Sequence, residues 1–419
     1  MIITYHQDLS TVVEFNTIPY NSMEDHTIRM EKEFGPFHDT YRLNMYSMSY
    51  GMIYPNPATN KWRLLAIPIL CFTTIPMTVL VFLDIRRYWI DGEILEVIRH
   101  VGLIGPFITG ILKMCLLYYK EEPTSQILAL INRDYASFNQ LPESYKPLVR
   151  GYVKNTRFYQ NIWIACVLMI LSTFVLTASV MNICETLFSS EPKRHMIYDV
   201  RLPIDRPGAQ FETPYFEILY IYMLYIAAVY TINFTGYDGF MIACVYHACL
   251  RIELFCKYVH DAMGYEGDEL RRRLGEAVNH HCETFKLIEK CESSFNFYLG
   301  LVYVVVTTEL CLCLYLVMEG FEFDYKFSSF SIGTILHIYV PCLVAEKLKC
   351  VCENASDLIY CCGWENNYDL SMRKFIPYMM ARAQKPVAMK ALGLITFEMS
   401  LFASTMKTAY SMYTIIKTQ

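Results

Sequence analysis

An all-α integral membrane bundle of seven helices is the fold class this sequence predicts, on three observations. Hydrophobic residues fill 54% of the 419 positions and charged ones only 18%, against about 45–50% and 25% in soluble domains. Seven mainly apolar runs recur along the chain, each close to the roughly 20 residues a spanning helix needs. Lys and Arg gather on one side of those runs, as insertion into a membrane requires. Aromatic residues reach 15%, which suits long membrane–water borders.

The first run, residues 64–83, carries no charge, and Pro68 and Pro76 predict kinks in it. Residues 101–119 form the second, with Lys113 near one end. The third, 158–184, is long enough to tilt or protrude. Residues 218–237 are the fourth, 293–318 the fifth with Glu309 inside it, and 327–345 the sixth. The seventh, 391–416, contains Glu398 and Lys407. With the N-terminus cytoplasmic, 25 of the 36 Lys and Arg lie inside and nine outside. The C-terminus is then extracellular. This divides the chain into a cytoplasmic N-terminal segment (1–63), spans one to four (64–237) and a cytoplasmic helical connection (238–292). Spans five and six (293–345), a second cytoplasmic connection (346–390) and the seventh span (391–419) complete it.

Within the 238–292 connection, Leu274, Val278, His281, Phe285 and Ile288 recur at spacings of 4, 3, 4 and 3. That heptad-like stripe predicts long helices that leave the membrane and pack into an anchor bundle. The alternative is an amphipathic helix lying on the membrane surface. The first eight residues, Met1 to Asp8, lack the basic and apolar regions of a signal peptide. Insertion is therefore expected to use an internal segment.

Several function classes are disfavoured. A net charge of −5 argues against a nucleic-acid partner. No metalloprotease, phosphate-loop, nucleophile-elbow or dinucleotide motif occurs, so neither enzyme activity nor a cofactor is expected. The sixteen cysteines include no C-x-x-C pair and read as small apolar fillers rather than a metal site. Neighbours in His280-His281-Cys282 point in different directions on a helix, which disfavours a metal there too. The sequons at Asn233 and Asn354 fall at a membrane edge and inside, and read as chance matches. A metabotropic seven-span receptor would place its N-terminus outside, and Arg133-Asp134-Tyr135 is not that class's Asp-Arg-Tyr triplet. Charges within spans cost about 2.5–3.5 kcal/mol each at a helix centre. Glu309 and Lys407 lie at similar heights and are expected to approach each other or share a wet cavity.

Toward the C-terminus, Trp364 and Arg373 lead into Met380-Ala-Arg-Ala-Gln-Lys-Pro386, then Leu392-Gly393, Phe397, Ser400-Leu-Phe402 and Lys407-Thr-Ala-Tyr-Ser411. This stretch resembles the insect odorant receptor family, with some likeness to its moth members. That family's last span carries Lys, a small residue, Ser, Tyr, Ser and Tyr. Ala409 and Met412 depart from the pattern. The resemblance is specific over the last 60 residues; elsewhere it rests on length, span count, direction and the His247-Ala-Cys-Leu-Arg251 region. The shared co-receptor's enlarged cytoplasmic insertion is missing, which points to an odour-tuning subunit.

What the resemblance implies is a ligand-gated, non-selective cation channel in the plasma membrane of an olfactory neuron. Its partners would be a volatile odorant or pheromone, membrane lipid, and the co-receptor in a tetramer. The last span would line the pore, with Ile415 and Gln419 facing it and Met412 and Ile416 nearby. The family's pocket lies in the outer half of the bundle, between spans two, three, four and six. Matching heights are Ile104, Phe107 and Ile108; Thr173 and Thr177; Phe216, Tyr220 and Met223; and Phe330, Thr334 and His337. Such a set suits a mostly apolar ligand with one polar group. Burying about ten methylenes is worth roughly 8 kcal/mol before ordering costs. A gustatory-type receptor channel is the alternative within the same architecture.

Overall fold

The computed structural model describes residues 33–55, 60–204, 206, 208–319, 325–367 and 369–418. Its helices follow the apolar runs and outlast most of them. Short helices α1 (Phe37–Thr40) and α2 (Arg42–Tyr50) lead to α3 (Asn60–Asp91), α4 (Ile94–Tyr119) and α5 (Glu121–Phe138). Next come α6 (Lys146–Phe188), α7 (Tyr215–Ala262), α8 (Gly267–Glu319), α9 (Tyr325–Tyr360) and α10 (Leu370–Ala383). A hairpin of β1 (Lys390–Ala391) and β2 (Ile395–Thr396) precedes α11 (Met399–Thr418). Helices α3, α4 and α6 to α9 are each long and apolar enough to cross a membrane. The seventh, α11, is more polar, carrying Lys407, Lys417 and several hydroxyl residues.

Pro76 interrupts the hydrogen-bond ladder of α3. The Tyr222 hydroxyl enters the gap, accepting from Met77 N–H at 3.2 Å and donating to the Thr73 carbonyl at 2.6 Å. The hydroxyl thus bridges the opened Met77–Thr73 rung beside the proline, a repair expected where water is scarce.

Helix α7 is the axis of the bundle, with every residue from Thr235 to Ile252 buried. Asp238, expected at the start of a connection, instead sits in its core. Gly236 and Gly239 let α2 approach, so that Asn44 Nδ2 donates to the Thr235 and Gly236 carbonyls. At 48 and 53 residues, α7 and α8 reach about 70–80 Å at 1.5 Å per residue. A hydrocarbon core of about 30 Å takes less than half of that length. The remainder packs as a helical extension: Leu274, His281, Phe285 and Ile288 are buried and Val278 packs against the core. The His281 ring stacks on Phe255 with centroids 4.0 Å apart, so this stretch docks on α7.

A buried ionic cluster ties the extension together. Asp134 of α5 accepts from His247 Nε2 at 2.8 Å and from Arg251 at 2.5 Å, both on α7. Arg251, 1% exposed, also donates to Thr284 of α8. Burial pushes the Asp134 carboxyl up, but the hydrogen bonds and charges of His247 and Arg251 outweigh it and hold the group below its ordinary value.

One expectation needs correction. Residues 391–397 are not the start of the seventh span but a turn and strand. Leu392 (φ 52°) and Gly393 (φ 71°) are both left-handed, within the three-residue loop between Ala391 and its strand partner Ile395. The Leu394 N–H closes the turn on the Ala391 carbonyl at 2.9 Å. Glu398 therefore precedes α11 and lies outside its helical span. It bonds Lys349 at 2.8 Å. Gly393→Val is expected to cost about 1–3 kcal/mol, because a β-branched residue is strained there. Leu392→Asn should be tolerated, and thermal unfolding of the detergent-solubilised protein would compare the two. Equal tolerance of both would contradict the turn assignment.

Candidate functional site

Six helices and one loop enclose an apolar cavity of about 240 Å³. Met77 reaches it from α3, Phe107 and Thr109 from α4, and Trp163 and Phe174 from α6. Helix α7 contributes Met223, Tyr230 and Phe234; α9 contributes Phe330, Thr334 and His337. Gly110 leaves room for the Tyr230 ring, whose atoms would lie 2.2 Å from an added methyl. Glu309 enters from α8 beside Gly105, on the same principle.

At one end the loop between α6 and α7 closes the cavity, with Ile197 and Tyr198 in its wall. Asp84 pins this loop by accepting from the Arg201 backbone at 2.7 Å and from Arg87 at 3.0 Å. His100 bonds the Asp199 carbonyl at 3.2 Å, its ring 5.1 Å from Tyr198. Behind His337, outside the cavity lining, lies a polar cluster. Lys113 donates to both Asp238 oxygens, at 3.0 and 2.8 Å. The Tyr298 hydroxyl donates to Asp238 and stands 3.2 Å from His337 Nε2. Phe234 lies 3.7 Å from the ammonium, and Trp163 stacks on His337.

Of the residues singled out by height, Phe107, Met223, Phe330, Thr334 and His337 line the cavity and the others do not. Ile104 packs among partly buried residues beside Met77, and Ile108 is exposed on the outside of the bundle. Thr173 bonds Ser329, clasping α6 to α9, and Thr177 bonds the Thr173 carbonyl. Phe216 and Tyr220 pair with each other, and Tyr220 bonds Ser179. Glu309 and Lys407 do not pair: the carboxyl is buried toward α4 while the lysine is exposed on α11. Met412, Ile415 and Ile416 are exposed on α11 and Gln419 is outside the described residues. Thr405, Ala409 and Tyr413 of the same helix are buried.

Trp163, Tyr198, Tyr230 and Phe234 were not anticipated, nor was the Lys113–Asp238 pair. Lys113 and Asp238 do have a signal in the sequence, as opposite charges toward matching ends of spans two and four. Among the described residues, no group of three His, Cys, Asp or Glu side chains could hold a metal ion.

A multi-span helical membrane protein enclosing a ligand-sized apolar cavity is the class these features define. The 7tm Odorant receptor family model matches residues 93–410, and the chain belongs to the insect odorant receptor family, which is not a family of enzymes. Odorant receptor 85c of Drosophila melanogaster is 20% identical over 365 residues, covering 82% of this chain and 89% of that receptor. Odorant receptor 67a of the same fly is 23% identical over 149 residues, 35% of this chain and 36% of that one. The insect olfactory receptor OR5 from Machilis hrabei in complex with eugenol has the same fold: TM-score 0.71, 13% identity, 91% of this chain and 99% of that one. A second structure of that receptor gives a TM-score of 0.67, with 13% identity over 90% and 99% of the chains.

Proposed function

We propose that this chain is the odour-tuning subunit of a ligand-gated, non-selective cation channel in olfactory neurons of an insect. The observation that carries the reading is the cavity, lined by aromatic and apolar side chains with a few polar groups such as Thr334 and His337 among them. It suits a small volatile molecule, whose binding energy would come mainly from buried apolar surface. Channel opening then requires the ligand to favour the open arrangement over the closed one. The exposed Met412, Ile415 and Ile416 of α11 fit a helix that meets other subunits around a pore. An apolar ring at Ile415 would close by dewetting. The asymmetry of Lys and Arg supports a cytoplasmic N-terminus, and the family resemblance supports assembly into a tetramer with the co-receptor.

Whole-cell recording from cells expressing this chain, with and without the insect co-receptor, tests the proposal. Odorant-evoked current that survives blockade of G-protein signalling is expected. A response that needs G-protein signalling would overturn the channel reading. Phe107→Ala is expected to raise the half-maximal concentration roughly 10- to 100-fold, the loss of one buried aromatic side chain. An unchanged dose–response curve would remove Phe107 from the ligand's surroundings.

A further inference from the structure

Seven Asp, Glu, Lys and Arg side chains are buried among the described residues, and six of them have a counter-charge. Arg63 pairs with Glu121 at 2.9 Å, Asp84 with Arg87 at 3.0 Å, Lys113 with Asp238 at 2.8 Å, and Asp134 with Arg251 at 2.5 Å. Glu309 is the exception. It is 5% exposed, has neither a hydrogen bond nor an ion pair among the described residues, and lies in the cavity wall. A buried carboxylate without a partner is costly, and this acid has no complement among the described side chains.

The surroundings favour a cation as that complement. Gly105 admits the carboxyl, one oxygen lying 2.0 Å from where a methyl would stand. Thr109, four residues on and so on the same face of α4, has a buried hydroxyl with no partner and also lines the cavity. An ammonium group has N–H donors for both. In a space of about 240 Å³ it would also lie close to aromatic faces, Phe107 and Phe330 among them, which attract cations.

The geometry points to a volatile primary amine as the ligand class of this cavity, its ammonium paired with Glu309 and its hydrocarbon part against the apolar walls. This deepens the channel reading and rests on it for the identity of the site.

Matched pairs that differ only in the head group provide the test: pentylamine against pentanol, and phenethylamine against phenethyl alcohol. Thermal unfolding of the purified full-length chain in detergent would report binding. The amine of each pair is expected to stabilise the wild type at concentrations at least about tenfold below the alcohol, a difference of about 1.4 kcal/mol. Glu309→Gln should abolish that preference and leave the alcohol's effect in place. Gly105→Ala, which crowds the carboxyl without removing it, should weaken the amine selectively and serves if Glu309→Gln does not fold. Equal or better stabilisation by the alcohol, or an amine preference intact in both variants, overturns the proposal. Whole-cell currents run in parallel separate the two readings. Amine stabilisation without current would sink the channel and spare the amine site; odorant currents with no amine preference in the unfolding assay would do the reverse.

Discussion

Lys113→Met is expected to destabilise the protein by about 3–5 kcal/mol, because it strands the Asp238 carboxylate in the core. Lys113 is fully buried and Asp238 nearly so, on α4 and α7 respectively. Tyr298 and His337 also lean on this pair. The loss should therefore reach the cavity wall through His337 as well as the fold. The double variant Lys113→Met with Asp238→Leu removes both charges and should recover most of the stability, since apolar replacement of a buried pair is often neutral. Surface abundance and thermal unfolding in detergent are the measurements. A single variant as stable as the parent would show that the pair does not hold the bundle together.

Asp134→Asn should be comparably severe, about 3–5 kcal/mol, because Arg251 and His247 lose their shared carboxylate in a buried setting. The effect should depend on pH in a defined sense. The folded state holds the Asp134 carboxyl below its ordinary value. Its contribution is accordingly complete above the unfolded value, near 3.9, and is lost as pH falls through the lower folded one. Wild type and Asp134→Asn should differ fully at neutral pH and converge in acid below about pH 4. A stability difference that widens on acidification would contradict the assignment.

Much of the architecture was legible because a membrane helix declares itself through composition: the runs at 64–83, 158–184 and 293–318 fall inside α3, α6 and α8. The spacing of Leu274, Phe285 and Ile288 likewise reports which face of α8 is covered. Position around a helix is harder to read when most faces are apolar. Ile108 and Phe107 share a height, yet one is exposed outside and the other lines the cavity. The same ambiguity separates Glu309 from Lys407, whose equal heights say nothing of direction. The hairpin was hidden for another reason. Ala391 to Phe397 is as apolar as a helix, and its turn depends on Leu392 adopting a conformation rare for a branched side chain.

The unbroken length of α8 has a mechanical consequence. From Glu309 at the cavity to Gly267 at the far end, the helix rises through 42 residue steps, about 63 Å of rod at 1.5 Å per residue. A rod of that length works as a lever: a tilt of about 3° at the cavity would carry its tip through about 3 Å. Movements too small to disturb the packing around a bound molecule would thus arrive at the opposite end as displacements the size of a side-chain contact.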